Sequence, residues 1–184
     1  MNIPNGLSLF RIGCVPFLLL AGWFGMPGLF FLLFCLMLLS DAVDGYIARR
    51  LNQVSALGAK LDSLGDMATY MSSALAAWWL WPELITEEAV YIVTAIAVYI
   101  APAFVSLARF GQLASYHTWI TKISAVLMSG AVLLLLTLEI RVVFHIAVWF
   151  LVVEAVENIA ITFMLREPRS DVRSFWHVLK KRQK

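Results

Sequence analysis

The chain reads as long apolar runs separated by short polar or turn-forming breaks. A helix needs about 20 mostly apolar residues to cross the hydrocarbon core of a bilayer. Six stretches reach that length, at residues 8–24, 29–49, 57–81, 89–110, 119–138 and 142–165. Gly25-Met26-Pro27-Gly28 punctuates the first pair, Trp81-Pro82-Glu83 ends the third run, and Glu139 and Arg141 flank the fifth break. The pattern predicts an all-α polytopic membrane protein with six transmembrane helices, plus interfacial helical segments at the termini. The first run is interrupted by Pro16 and lacks a small-residue cleavage site, so it is read as a retained span and not a signal peptide. Residues 1–165 form one membrane domain on this reading. Residues 166–184 form a basic tail with Phe175, Trp176, Val178 and Leu179 interspersed, either an amphipathic surface helix on anionic lipid or a solvated end. Trp78, Trp79 and Trp81 are an interfacial anchor or a packing cluster.

Composition agrees with a bilayer environment. The 184 residues are 61% apolar and only 14% charged, against about 25% charged in a soluble domain. A chain this small cannot hide so much apolar surface in its own interior. Charge is distributed unevenly. With six spans both termini share one side, and of the 14 Lys and Arg residues only Arg141 falls on the other, beside Glu83, Glu87, Glu88 and Glu139. The positive-inside rule then puts both termini in the cytoplasm, with the chain multi-pass in the cell (inner) membrane. Arg11 enters this count only as one more cytoplasmic-edge cation. Cys14 and Cys35 lie in apolar runs and are expected to stay reduced, and the three histidines form no metal-binding spacing. Membrane lipids are expected partners, and nucleic acid is not.

Four carboxylates stand where apolar residues are expected. Asp41 and Asp44 are spaced i, i+3 at the end of the second run, and Asp62 and Asp66 are spaced i, i+4 at the start of the third. Each pair shares one helix face. The runs are joined by a short loop, so antiparallel packing brings four acids together near one membrane edge. Ionisable groups in spans are costly and are seldom incidental. Four acids together repel unless they are protonated or hold cations, and carboxylate oxygens suit hard divalent ions. Two such ions balance four carboxylates, and a pair of them can clamp a pyrophosphate. Mg2+ or Mn2+, as two ions, are the expected cofactors.

The segment Asp41-x2-Asp44-Gly45-x2-Ala48-Arg49-x8-Gly58-x3-Asp62-x3-Asp66 resembles the signature of the CDP-alcohol phosphotransferases at all eight of its fixed positions. The resemblance implies a six-helix membrane enzyme, usually a homodimer, that moves a phosphatidyl group from CDP-diacylglycerol to a small alcohol and releases CMP. It assigns Asp41, Asp44, Asp62 and Asp66 to metal, with Asp66 also the catalytic base. Gly45, Ala48, Arg49 and Gly58 would bind the nucleotide.

The start, Asn2-Ile3-Pro4-Asn5-Gly6-Leu7-Ser8-Leu9-Phe10-Arg11, is similar to that of phosphatidylglycerophosphate synthases, which implies glycerol 3-phosphate as acceptor. Arg109, Lys122 and His117 would then form its anion pocket, with three positive-inside cations as the plainer alternative. Ser63 and Met67 depart from that subfamily, and Leu61-Asp62-Ser63-Leu64 is similar to phosphatidylserine synthases instead. Serine, inositol and inositol phosphate therefore stay open as acceptors. A cation transporter using the Asp cluster is the alternative of another class. Glu154, Glu157 and Asn158 share a face of the sixth run and either line the acceptor cavity or pair with basic residues of neighbouring helices, the structural role being preferred.

Overall fold

A computed structural model of the chain describes residues 3–51, 56–112, 116 and 118–165. The tail at 166–184 and His117 lie outside the described residues. Among the described residues seven helices follow one another: α1 (Ile3–Trp23), α2 (Pro27–Arg50), α3 (Ala56–Leu80), α4 (Pro82–Glu87), α5 (Ala89–Phe110), α6 (Trp119–Leu138) and α7 (Arg141–Met164). Among the described residues there is no strand. The chain is an all-α polytopic membrane protein. Many large apolar side chains are exposed, with Val90, Val126 and Phe104 all at least 70% exposed. So much apolar surface fits lipid and not water.

Among the described residues five helices, α1, α2, α5, α6 and α7, are long and apolar enough to cross a bilayer. The sequence reading expected six. The difference is α3, which at 25 residues has the length but not the hydropathy. Its inner face carries Asp62, Asp66, Thr69, Ser72 and Ser73. The hydroxyls bond back onto their own helix, Thr69 to the Gly65 carbonyl at 2.7 Å and Ser73 to the Thr69 carbonyl at 2.6 Å. Hydroxyls satisfied this way need no water, so a helix can carry them at membrane depth.

The chain divides into two compact units, Met1–Glu87 and Glu88–Lys184. In the first, α1 is the common partner of α2 and α3, which touch each other far less. The antiparallel pairing of α2 and α3 is thus made largely through α1. The buried stripe of α1 is Pro4, Ser8, Arg11, Cys14, Leu18, Ala21 and Gly22, spaced three and four apart as one helix face requires. Phe30, Phe34 and Met37 of α2 and Ala76 and Ala77 of α3 complete the core. Trp81 packs on Phe30 and Phe31 at ring distances of 5.5 and 5.4 Å, and Trp79 meets Trp23 edge-on at 5.3 Å. Trp81 is a packing residue, whereas Trp78 and Trp79 are 55% and 37% exposed.

The turn between α1 and α2 is made by local chemistry. Gly25 takes φ +65°, and the Met26 N–H reaches back to the Ala21 carbonyl at 2.8 Å. This is a glycine-closed helix end, followed by a proline that opens the next helix. At the N-terminus, α1 runs unbroken from Ile3, so the described residues contain no separate interfacial segment there.

In the second unit α5 and α6 both pack on α7. Thr118 caps α6, its hydroxyl accepting from the Thr121 N–H at 3.2 Å and donating to Glu157 of α7 at 2.9 Å. The hydroxyls of Tyr116 and Thr162 are hydrogen-bonded at 3.1 Å. Burial pushes the Tyr116 phenol above its ordinary pKa, opposed in part by Thr162 and by the charge of Arg109. Glu88, 4% exposed, pairs with His145 at 2.6 Å and with Arg141 at 3.6 Å, and His145 stacks on Tyr91 at 3.7 Å.

Candidate active site

The four acids of the signature converge, and the group on which they converge is Arg11. Its Nη1 donates to Asp41 Oδ1 at 2.6 Å and to Asp66 Oδ1 at 2.5 Å. Its Nη2 donates to Asp44 Oδ2 at 2.7 Å and to Asp62 Oδ1 at 2.6 Å. Each terminal nitrogen therefore joins one acid of α2 to one of α3. Asp41 lies opposite Asp66 and Asp44 opposite Asp62, the order that antiparallel helices impose. Ser8, one turn before Arg11, directs its hydroxyl to Asp44 Oδ2 at 3.4 Å. Gly65 leaves room for the guanidinium, since a Cβ there would stand 3.3 Å from Arg11 Cζ.

Arg11 is only 1% exposed, so its charge is withdrawn from water almost completely. Sequence reasoning missed this role by counting Arg11 as an edge cation. The signal was present: Arg11 falls in phase with Ser8, Cys14, Leu18 and Gly22, on the stripe that faces the other helices. Its Nε has no hydrogen-bond partner among the described residues.

The donor set fits hard divalent cations. Oxygen atoms of Asp41, Asp62 and Asp66 lie within 4.8 Å of one another, close enough to gather on a shared ion. Their side chains stay 38%, 32% and 30% exposed, while Asp44 is 6% exposed beneath them. All four contribute carboxylate oxygen, the donor that Mg2+ and Mn2+ prefer. One guanidinium balances only one of the four carboxylates when all are ionised, and divalent cations would offset the rest.

Residues 1–162 match the CDP-alcohol phosphatidyltransferase family. The chain belongs to this family. Its curated relatives include proteins named CDP-diacylglycerol–glycerol-3-phosphate 3-phosphatidyltransferase. The one from Salmonella choleraesuis (strain SC-B67) is 33% identical over 88 residues, covering 43% of this chain and 48% of the relative. The one from Escherichia coli (strain K12) is 33% identical over the same shares. That from Wigglesworthia glossinidia brevipalpis is 39% identical over 69 residues, 36% of this chain and 38% of the relative. The chain thus spans about half the length, or less, of the curated relatives it matches. No solved structure matches it.

The remaining signature positions are placed by their helices. Gly45, Ala48 and Arg49 occupy the last two turns of α2, with side chains outside the described part, and Gly58 lies in the first turn of α3. The expected acceptor residues are in the second unit. Arg109 ends α5, where its Nη2 donates to the carbonyls of Phe163 and Leu165 at 3.2 and 3.3 Å. It also lies 5.4 Å from the Phe163 ring centre. This is a cation on the carbonyl end of α7, where the helix dipole favours it. Lys122 is exposed on α6 with its ammonium 5.0 Å from the Trp119 ring centre. Glu157 accepts from Thr118, and Asn158 donates to Glu154 at 3.4 Å.

Proposed function

We propose that the chain transfers a phosphatidyl group from CDP-diacylglycerol to a small alcohol, glycerol 3-phosphate, with release of CMP, in a divalent-metal-dependent reaction at Asp41, Asp44, Asp62 and Asp66. The observation that carries this reading is the convergence of the four signature carboxylates in a protein of this family. Family membership favours transfer chemistry over cation transport. The names of the relatives support glycerol 3-phosphate, as does the N-terminal similarity.

Mg2+ or Mn2+ ions bound there would neutralise the pyrophosphate of the donor and stabilise charge on the departing CMP. Asp41, Asp44 and Asp62 hold the ions on this reading, with Asp66 completing the set. Asp66 also takes the proton of the acceptor hydroxyl as its oxygen bonds to the lipid-bearing phosphorus and the bond from that phosphorus to CMP breaks. Asp66 is 30% exposed, so an acceptor hydroxyl can reach it. Gly45, Ala48 and Gly58 present a small-residue surface to the nucleotide, and Arg49 meets its phosphates. Arg109 and Lys122, with His117, hold the acceptor phosphate. A cytoplasmic-facing site in the inner membrane follows from the distribution of Lys and Arg. It requires α3 to cross as a sixth span, sheltered by α1. A homodimer is carried over from the family resemblance alone.

Ser63 after Asp62 favours a second reading, in which serine is the acceptor of the same chemistry. Both are tested by CMP release from CDP-diacylglycerol by the purified chain in nanodiscs, with Mg2+ or Mn2+ and one acceptor at a time. Metal-dependent release with glycerol 3-phosphate alone supports the proposal. Release with serine or an inositol compound names another acceptor, and no release with any acceptor overturns the transferase reading.

A further inference from the structure

We propose that Arg11 is a built-in competitor for the divalent cations of the carboxylate cluster, and that its guanidinium must swing off Asp41, Asp62 and Asp66 before those oxygens can hold metal. The inference rests on the metal-dependent reading above.

The geometry is one of shared atoms. The three acids whose oxygens can gather on an ion are three of the four that Arg11 binds. Arg11 nitrogens sit 2.6, 2.6 and 2.5 Å from Asp41 Oδ1, Asp62 Oδ1 and Asp66 Oδ1. A Mg2+ ion takes such oxygens at about 2.0–2.1 Å. Ion and guanidinium would then occupy the same small volume, with like charges a few ångströms apart and shielded from water. Charge arithmetic points the same way. Four carboxylates and one guanidinium sum to minus three. Two divalent ions bring the site to neutrality if the guanidinium leaves and to plus one if it stays.

Arg11 also has a reason to be there. Four acids on two helices repel each other, and a buried guanidinium that gives one bond to each holds α2 and α3 in register on α1. The same contact keeps Asp66 engaged as a hydrogen-bond acceptor, so a base at Asp66 is released by the step that admits metal. Arg11 is thus a positioning residue that couples metal loading to the freedom of the base.

The test is Mn2+ titration, followed by the electron paramagnetic resonance of free Mn2+, on the wild-type chain, Arg11→Gln and Arg11→Lys in nanodiscs. Helical content and size-exclusion profile verify folding. Competition predicts tighter Mn2+ binding by about tenfold in Arg11→Gln, because the binding-competent arrangement no longer has to be released. Arg11→Lys, which keeps a charge but offers fewer donors, should fall between. Melting in EDTA should drop for Arg11→Gln, and its rise on adding Mn2+ should exceed that of the wild type. Unchanged or weaker Mn2+ binding in the folded variants overturns the proposal. Where Arg11→Gln does not fold, the side-chain nitrogen signals of 15N-arginine-labelled wild type decide. A slowly exchanging guanidinium signal in EDTA must be lost on adding Mg2+, and its persistence refutes displacement. If the wild type and both variants bind no Mn2+ at all, the metal reading itself fails.

Discussion

Gly22 of α1 and Ala76 of α3 meet so closely that a Cβ on Gly22 would stand 2.8 Å from both the Cα and the Cβ of Ala76. Small residues at such a crossing let two membrane helices approach backbone to backbone. The contact sits on the same face of α1 as Arg11 and the same face of α3 as Gly65, so it sets the spacing at which the guanidinium reaches all four acids. Gly22→Ala should force the helices apart and cost about 1–3 kcal/mol. Reversible unfolding in detergent measures the loss. A stability equal to that of the wild type would show that the crossing has slack.

Asp62→Asn and Asp66→Asn keep side-chain volume and remove one charge. Each should lower the rate of CMP release by a factor of about 100 or more, the scale of a lost catalytic proton acceptor or metal ligand. The variants should stay folded, since an amide oxygen can still accept from Arg11. Near-normal turnover by either one would remove it from the catalytic set.

Much of this was legible in the sequence. The apolar runs located six of the helices to within a few residues, because a membrane-spanning helix must satisfy its backbone internally and announces itself by length. The four acids were legible because charge in an apolar run is conspicuous. Arg11 was not, although it stands in just such a run. Cations near a span end have an ordinary explanation in the positive-inside rule, and that explanation concealed a specific one. The short α4 was missed because Pro82-Glu83 reads as a turn, yet Pro82 occupies the first helical position, where proline is well tolerated. The weak hydropathy of α3 has the opposite lesson. Its Thr69, Ser72 and Ser73 look polar in a list, but their hydroxyls are satisfied within the helix.

Glu88 and His145 form a partly buried contact remote in sequence from the signature. Glu88 is 4% exposed and depends on His145 at 2.6 Å, with Arg141 farther off at 3.6 Å. Removing one partner of a buried polar pair costs more than removing both. His145→Ala should therefore destabilise the chain by about 1–3 kcal/mol, and adding Glu88→Gln should recover part of the loss. Thermal unfolding of the single and double variants measures the coupling. Purely additive losses would show that the two side chains do not support each other.

Arg109 has two roles to be separated. It holds the last carbonyls of α7, and it is proposed to bind the acceptor phosphate. Capping alone predicts that Arg109→Ala loses about 1 kcal/mol of stability and affects both substrates equally. Acceptor binding predicts a KM for glycerol 3-phosphate raised about tenfold or more, with the KM for CDP-diacylglycerol little changed, because a charge-assisted contact to phosphate is lost for one substrate only. Steady-state kinetics with each substrate varied in turn distinguishes them. An equal rise in both KM values, together with lowered stability, would leave Arg109 as a helix cap and move the search for the acceptor phosphate to Lys122.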